Sequence, residues 1–274
     1  MVIPENTVGL DLDDGGRWTS LILGGREWFW TGPHRGNRNG LTSYVDAGGL
    51  DECFPTVRGT PDHGSLWNQP WGVVDKADEW DVVELEDALF LRRVNGGEAP
   101  DELGPHSMWA DYRLLAAPGY RFIWAAHALL DCEVGARIVV PAGTVARLHP
   151  EAFELLGEFS SEPWVDRVWP TSLDLASYGP DDGTAVGAVL VDCPAASVVD
   201  RGQTLTLAVS CPGQPVSIAL WRNLGGFPAS SPYRSLGVEP MLGRAFDLAD
   251  AGPSDTAVVG PSGEVNWRLT LSVE

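Results

Sequence analysis

Val265–Val273 reads VNWRLTLSV. Val265, Trp267, Leu269, Leu271 and Val273 fall on one side of an extended chain, and Asn266, Arg268, Thr270 and Ser272 on the other. Strict alternation of this kind marks a strand with one buried and one wet face. Thr204–Ser210 begins the same way with Leu205, Leu207 and Val209. Working outward, the pattern predicts further strands at Thr7–Leu12, Arg17–Leu23, Glu27–Trp30, Trp80–Glu86, Leu89–Val94, Ala110–Ala116, Arg121–Leu130, Ala136–Val140, Ala185–Val191 and Pro215–Trp221. Turn residues such as Asp14-Gly15-Gly16, Gly24-Gly25 and Pro118-Gly119 separate several of them. Only Pro150–Leu156 and Arg244–Ala251 read as short helices. Glycine (32) and proline (21) are spread along the 274 residues without a repeat, so they punctuate short apolar runs and form no linker. So many strands without a break in composition predict one all-β domain over residues 1–274, an antiparallel sandwich or barrel.

The composition narrows the function classes. Lysine plus arginine number 18 against 38 aspartates and glutamates, a formal charge of −20. Such a surface repels phosphate backbones and anionic headgroups, so neither nucleic acid nor a membrane is expected as a partner. Cys53, Cys132, Cys193 and Cys211 form no C-x-x-C pair and have no histidine at ligand spacing. No metal and no cofactor is expected. Met1–Leu10 lacks the basic and apolar regions of a signal peptide, and the apolar run Ala185–Val191 is too short to cross a bilayer. These features set the expectation of a cytoplasmic protein, monomer or homodimer, that acts on a small molecule. No G-x-S-x-G, H-E-x-x-H, P-loop or G-x-G-x-x-G pattern supplies rival machinery.

Three stretches are too long for simple hairpins: Thr31–Asp75, Pro141–Thr184 and Arg222–Gly260. Chemistry is expected there first. The first contains GGLDECFPTV at Gly48–Val57 and PDHGSLWNQPW at Pro61–Trp71. His63 near Trp67 and Trp71 suits a carbohydrate, because indole faces cover the C–H patches of a pyranose while an imidazole reaches its oxygens. Packing of both indoles into the core is the alternative. Asp51 and Glu52 are adjacent, so in an extended segment they point apart and cannot flank one bond as glycosidase carboxylates do. Asp13-Asp14 has a turn-like context and is expected in solvent. In RFIWAAHALL, Arg121–Leu130, His127 shares a face with Ile123, Ala125 and Leu129. It is either a satisfied core residue or part of a cavity wall that the small Ala125 leaves open. In LGVEPMLG, Leu236–Gly243, Glu239 sits between Val238 and Pro240, where a carboxylate needs donors, an ion pair with Arg222 or Arg244, or a chemical role.

The ordered set GGLDECFPT, PDHGSLW, HALLD, WRNLGGFP and GVEPMLG resembles the aldose 1-epimerase (galactose mutarotase-like) superfamily over nearly the whole chain. The resemblance implies a large antiparallel β-sandwich, the galactose mutarotase-like supersandwich, with a sugar cleft across one concave sheet. It implies Glu239 as general base, His127 as general acid, and His63 as the histidine that holds the substrate. Trp221 and Asn223 would edge the pocket, and Trp67, Glu52 and Arg58 complete the expected substrate-binding set. The implied reaction is interconversion of the α and β anomers of a free hexose, with base and acid on opposite sides of the ring. Two departures point to a divergent bacterial branch. Asn68, Gln69 and Pro70 stand where many members have an arginine after the early histidine, and Ala128-Leu129-Leu130 replaces a tyrosine-phenylalanine-asparagine stretch. The alternatives are a non-catalytic carbohydrate-binding protein, a specialised epimerase or lyase, and a sugar-phosphate mutarotase. The last would draw on Arg35, Arg38 and Arg58.

Overall fold

A computed structural model describes residues 6–34, 36–74, 80–95 and 103–274. Two large antiparallel sheets carry the architecture. The first runs in the order Asn6–Asp11, Arg17–Leu23, Leu50–Cys53, Trp124–Leu130, Tyr233–Leu242, Val216–Phe227, Thr184–Val191, Val145–Leu148 and Val165–Val168, with Arg26–Glu27 beside Arg17–Leu23. The second runs Arg137–Val139, Ala195–Asp200, Gln203–Ser210, Glu264–Val273, Ser107–Ala116, Ala88–Val94, Trp80–Glu84 and Gly72–Val74. The fold is all-β, and the alternation of Val265–Val273 is realised: Val265, Trp267, Leu269, Leu271 and Val273 are all buried. No helix among the described residues is long and apolar enough to cross a membrane.

The strands expected from sequence are present with two changes: Glu27–Trp30 shrinks to Arg26–Glu27, and Arg121–Leu130 breaks at Ile123 into Arg121–Phe122, which pairs with Ala257–Val258, and Trp124–Leu130 in the larger sheet. The long connections are less loop-like than expected. Arg222–Gly260 is corrected most: the strand Val216–Phe227 continues through it and turns into Tyr233–Leu242, one of the central strands of the larger sheet. Pro150–Leu156 is helical, as a 3-10 turn followed by one turn of α-helix. Arg244–Ala251 is not, because the Phe246 carbonyl is taken by the backbone N–H groups of Val57 and Arg58.

Between the sheets, Ala126, Ala128, Leu220 and Val238 meet Phe90, Tyr112, Trp267 and Leu269 in one core. Glu52 points into this core and not into a sugar site. Its carboxylate accepts hydrogen bonds from Tyr112 Oη (2.9 Å), Trp124 Nε1 (2.8 Å) and Arg92 Nη1 (3.2 Å). Arg92, also fully buried, donates to Asp81 and to the Gly16 carbonyl as well. A buried charge pair is tolerated when its polar atoms are met in this way. Burial still pushes the Glu52 carboxyl upward against the pull of Arg92. Asp14 is likewise buried, against expectation, because Arg17 and Arg38 both pair with it. Alternate residues of the larger sheet, including Ala125, Val189, Ala219 and Met241, face away from the sandwich interior and pack under covering loops. His127, Trp221 and Glu239 share their parity.

Candidate active site

The floor of the site is set by strand register. Asp51 lies directly opposite His127 on one side. On the other, the pairs Ala125–Met241 and Leu129–Gly237 bracket His127 and place it across from Glu239. Between those pairs the ladder is open. Pro240 has no N–H to contribute, which suits this gap, while on its far side it keeps register with Ile218. His127 Nδ1 lies 2.9 Å from Glu239 Oε1, with both side chains buried. Glycine at 237 makes room for that carboxylate, because a Cβ there would sit 2.5 Å from Glu239 Oε1.

Loops supply the walls. His63 has φ +60° and Gly64 φ +73°, and a Cβ on Gly64 would approach the Phe54 carbonyl oxygen to 2.0 Å. Only glycine permits that backbone approach, which gives the His-Gly pair a physical reason. The His63 ring stacks on Tyr44 with centroids 3.6 Å apart and planes 9° from parallel. It meets the edge of His127 at 4.9 Å. Tyr44 Oη donates to Asp51 Oδ2 (2.9 Å), and Asp51 takes two 2.7 Å hydrogen bonds from the buried Arg38. Arg58, Glu151, Trp221, Phe227, Tyr233 and Phe246 close the far side of a cleft of about 920 Å³. That volume lies in the range of roughly 300–1,000 Å³ typical of small-molecule sites.

The two histidines are driven apart electrostatically. Burial pulls His127 down, but the Glu239 carboxylate, helped by Asp46 and Asp51, overrides it and raises the imidazole to about 9. Burial lowers His63 below its ordinary value, with Asp62 opposing and His127 reinforcing. Asp51 is held below the carboxylate range because Arg38 outweighs its burial. At neutral pH the floor therefore holds an imidazolium against Glu239, with a neutral imidazole beside it. Among the described residues, no group of three or more His, Cys, Asp or Glu side chains is arranged to hold a metal.

Of the residues expected at the site, Glu239, His127, His63, Arg58 and Trp221 line this one cleft. Three do not. Trp67 is buried behind it, donating from Nε1 to the Asp62 carbonyl and presenting its ring edge-on to Tyr44. Asn223 is buried and shapes the chain, accepting from the N–H groups of Gly226 and Phe227 and donating to the Phe227 carbonyl. Glu52 belongs to the interior, as described. The partner of Glu239 is neither Arg222, which binds the carbonyls of Leu173 and Asp174, nor Arg244, which pairs with Asp192. Arg38 is spent on Asp14 and Asp51, and Arg35 lies outside the described residues. Tyr44, Asp46, Glu151, Tyr233 and Phe246 line the cleft without any sequence signal that marks them.

No family model matches the sequence, and no curated protein matches it. Solved structures do. A protein of Synechocystis sp. PCC 6803 superposes with a TM-score of 0.63 at 17% identity, over 97% of this chain and 91% of that one. An Escherichia coli K12 protein provisionally named an aldose 1-epimerase gives 0.63 at 14% identity, over 98% and 96%. A galactose mutarotase related enzyme from Lactobacillus acidophilus gives 0.56 at 12% identity, over 100% and 97%. The chain has the aldose 1-epimerase-like, or galactose mutarotase-like, fold.

Proposed function

We propose that the chain is a mutarotase that interconverts the anomers of an aldose by acid–base ring opening. The observation that carries this reading is the His127–Glu239 pair, an imidazolium and a carboxylate side by side on the floor of a sugar-sized cleft. Their contact at 2.9 Å leaves no room for a ring between them, so the expectation of base and acid on opposite sides of the sugar is corrected. The chemistry does not need that separation. The anomeric O1 and the ring O5 are bonded to the same carbon, so two neighbouring groups reach both from one side.

Glu239 takes the proton of the O1 hydroxyl. The O–H electrons form the C1=O1 bond, the C1–O5 bond breaks, and O5 receives a proton from His127. Because Nδ1 faces Glu239, Nε2 is the nitrogen left for the sugar. The base step assists the acid step: protonating Glu239 removes the charge that holds the His127 proton, so His127 becomes a stronger acid as the ring opens. Rotation about C1–C2 and the reverse transfers close the ring on the other face and return both protons. In this reading neutral His63, its ring stacked on Tyr44, hydrogen-bonds a sugar oxygen. Each positioned proton-transfer group contributes about 10²–10⁴-fold. The test is NMR exchange between anomers for a panel of aldoses, with His127→Asn as control. Enzyme-dependent exchange lost in a folded His127→Asn variant is expected, and no exchange with any aldose would sink the proposal.

A further inference from the structure

On the far side of the cleft from the acid–base pair stands a second ion pair whose placement is equally built. Arg58 Nη2 lies 2.8 Å from Glu151 Oε1. The Arg58 backbone N–H is fixed by the Phe246 carbonyl at 2.9 Å, and its guanidinium lies over Phe246 (4.8 Å to the ring centroid) and near Trp221 (5.6 Å). Glu151 Oε1 also accepts the Gly187 N–H at 2.9 Å. Glycine at 187 is what admits the pair, since a Cβ there would sit 2.6 Å from both Arg58 Nη2 and Glu151 Oε1. Gly187 lies opposite Trp221, and Trp221 opposite Gly237, so one row across the sheet has the indole between two glycine gaps. One gap holds the Glu239 carboxylate and the other holds Arg58 and Glu151.

The strand of Gly187 is two strands from that of Glu239. That is a separation of about 10 Å at a strand spacing of about 4.8 Å, with one charged pair over each end of the row. That spacing is of the size of one pyranose, which on the mutarotase reading would have C1 at His127 and Glu239 and its ring over Trp221. Resting on the mutarotase reading, we propose that the Arg58–Glu151 pair is the distal specificity element of the cleft, binding the hydroxyl groups at the sugar edge opposite C1 and refusing sugars phosphorylated there. A fork with both donors and an acceptor suits hydroxyl groups. A phosphate needs convergent donors free of a competing carboxylate. Here the one arginine lining the described cleft is neutralised by Glu151, while Asp46, Asp62 and Glu239 add negative charge around it.

The experiment compares D-glucose and D-galactose with their 6-phosphates by NMR anomer exchange, and in parallel by tryptophan fluorescence titration. The wild-type chain should favour the unphosphorylated sugars. Glu151→Gln keeps an acceptor for the Gly187 N–H but frees the Arg58 charge. It should shift kcat/KM toward the 6-phosphates by about tenfold or more relative to the neutral sugars, mainly through KM. Arg58→Met should flatten the glucose-to-galactose ratio, and thermal melts show whether each variant is folded. Equal use of phosphorylated and neutral sugars by the wild type, or an unchanged ratio in folded Glu151→Gln, overturns the assignment. If no sugar is exchanged but the fluorescence ratio moves as described, the mutarotase reading falls and the specificity assignment stands. If exchange occurs and the ratio stays fixed, only the specificity assignment falls.

Discussion

Replacing Glu239 by glutamine keeps the size and hydrogen-bonding reach of the side chain while removing the charge that holds His127 protonated. In the wild-type chain the imidazole rises from 6.5 to about 9 although burial opposes it. At about 1.4 kcal/mol per pKa unit, that is on the order of 3 kcal/mol in favour of the imidazolium. Without the carboxylate, burial is left as the leading influence, and His127 should titrate at or below its ordinary value. The sign for stability follows from proton binding. Between about pH 6.5 and 9 the folded wild type holds a proton on His127 that the unfolded chain has lost, so stability falls as pH rises through that window. The variant should lose this dependence. The wild-type kcat/KM should stay level through neutrality and drop above about pH 9 as His127 loses its proton. Histidine ring titration by NMR and urea unfolding at about pH 6 and about pH 9.5 give independent readings. A wild-type His127 that titrates near 6.5, or a value unmoved in the glutamine variant, would refute the coupling on which the mechanism rests.

Gly237→Ala should cut kcat about 10²-fold and also lower the melting temperature at neutral pH, because the new Cβ, 2.5 Å from Oε1 and 3.0 Å from the Trp221 Cβ, displaces the Glu239 carboxylate from the buried His127. Trp221→Ala should weaken sugar binding by about 1–3 kcal/mol, read by titration calorimetry, if the indole is the stacking surface. Glu52→Gln should destabilise the fold by about 3–5 kcal/mol in chemical denaturation, since Arg92 would be left buried without its full charge partner. Activity measured at low temperature on the folded fraction should remain, because Glu52 does not reach the cleft.

The fold was legible in the sequence where alternation is long and clean, as in Glu264–Val273, whereas Ala195–Asp200 alternates over a shorter, less apolar stretch and was missed. The fold was also illegible in Tyr233–Leu242. That strand is buried on both faces through most of its length, so it shows no alternation, and Gly237 and Pro240 argue against a central strand. Both residues have local reasons, a gap for a carboxylate and an open ladder. Neither reason exists before His127 is brought alongside. The same limit governs the site. His63, His127 and Glu239 carry side chains whose chemistry is visible in one dimension. Trp67 and Asn223 sit in the same motifs but turn away from the cleft, and a motif does not say which way its residues point. Tyr44, Glu151 and Phe246 reach the cleft from loops in which only packing selects the side that faces inward.

Adjacent carboxylates show how the site is held. Asp51 and Glu52 point to opposite faces of one strand, as alternation requires, and each meets a fully buried arginine, Arg38 outside and Arg92 inside. The strand carrying them is the immediate neighbour of the His127 strand, with Asp51 opposite His127 and Glu52 opposite Ala126. A shift of that strand by one residue would exchange the two carboxylates between an apolar interior and a loop-covered face, leaving both arginines buried without their partners. Register is therefore locked next to the residue that must keep its place, while on its other side the ladder to the Glu239 strand is open. The site thus combines a fixed wall with a gap, and the gap is where His127 and Glu239 meet without a backbone hydrogen bond between their strands. Preorganisation of this kind lets two charges stand 2.9 Å apart on the floor of the cleft, and under the proposed mechanism it would leave little rearrangement for the reaction itself.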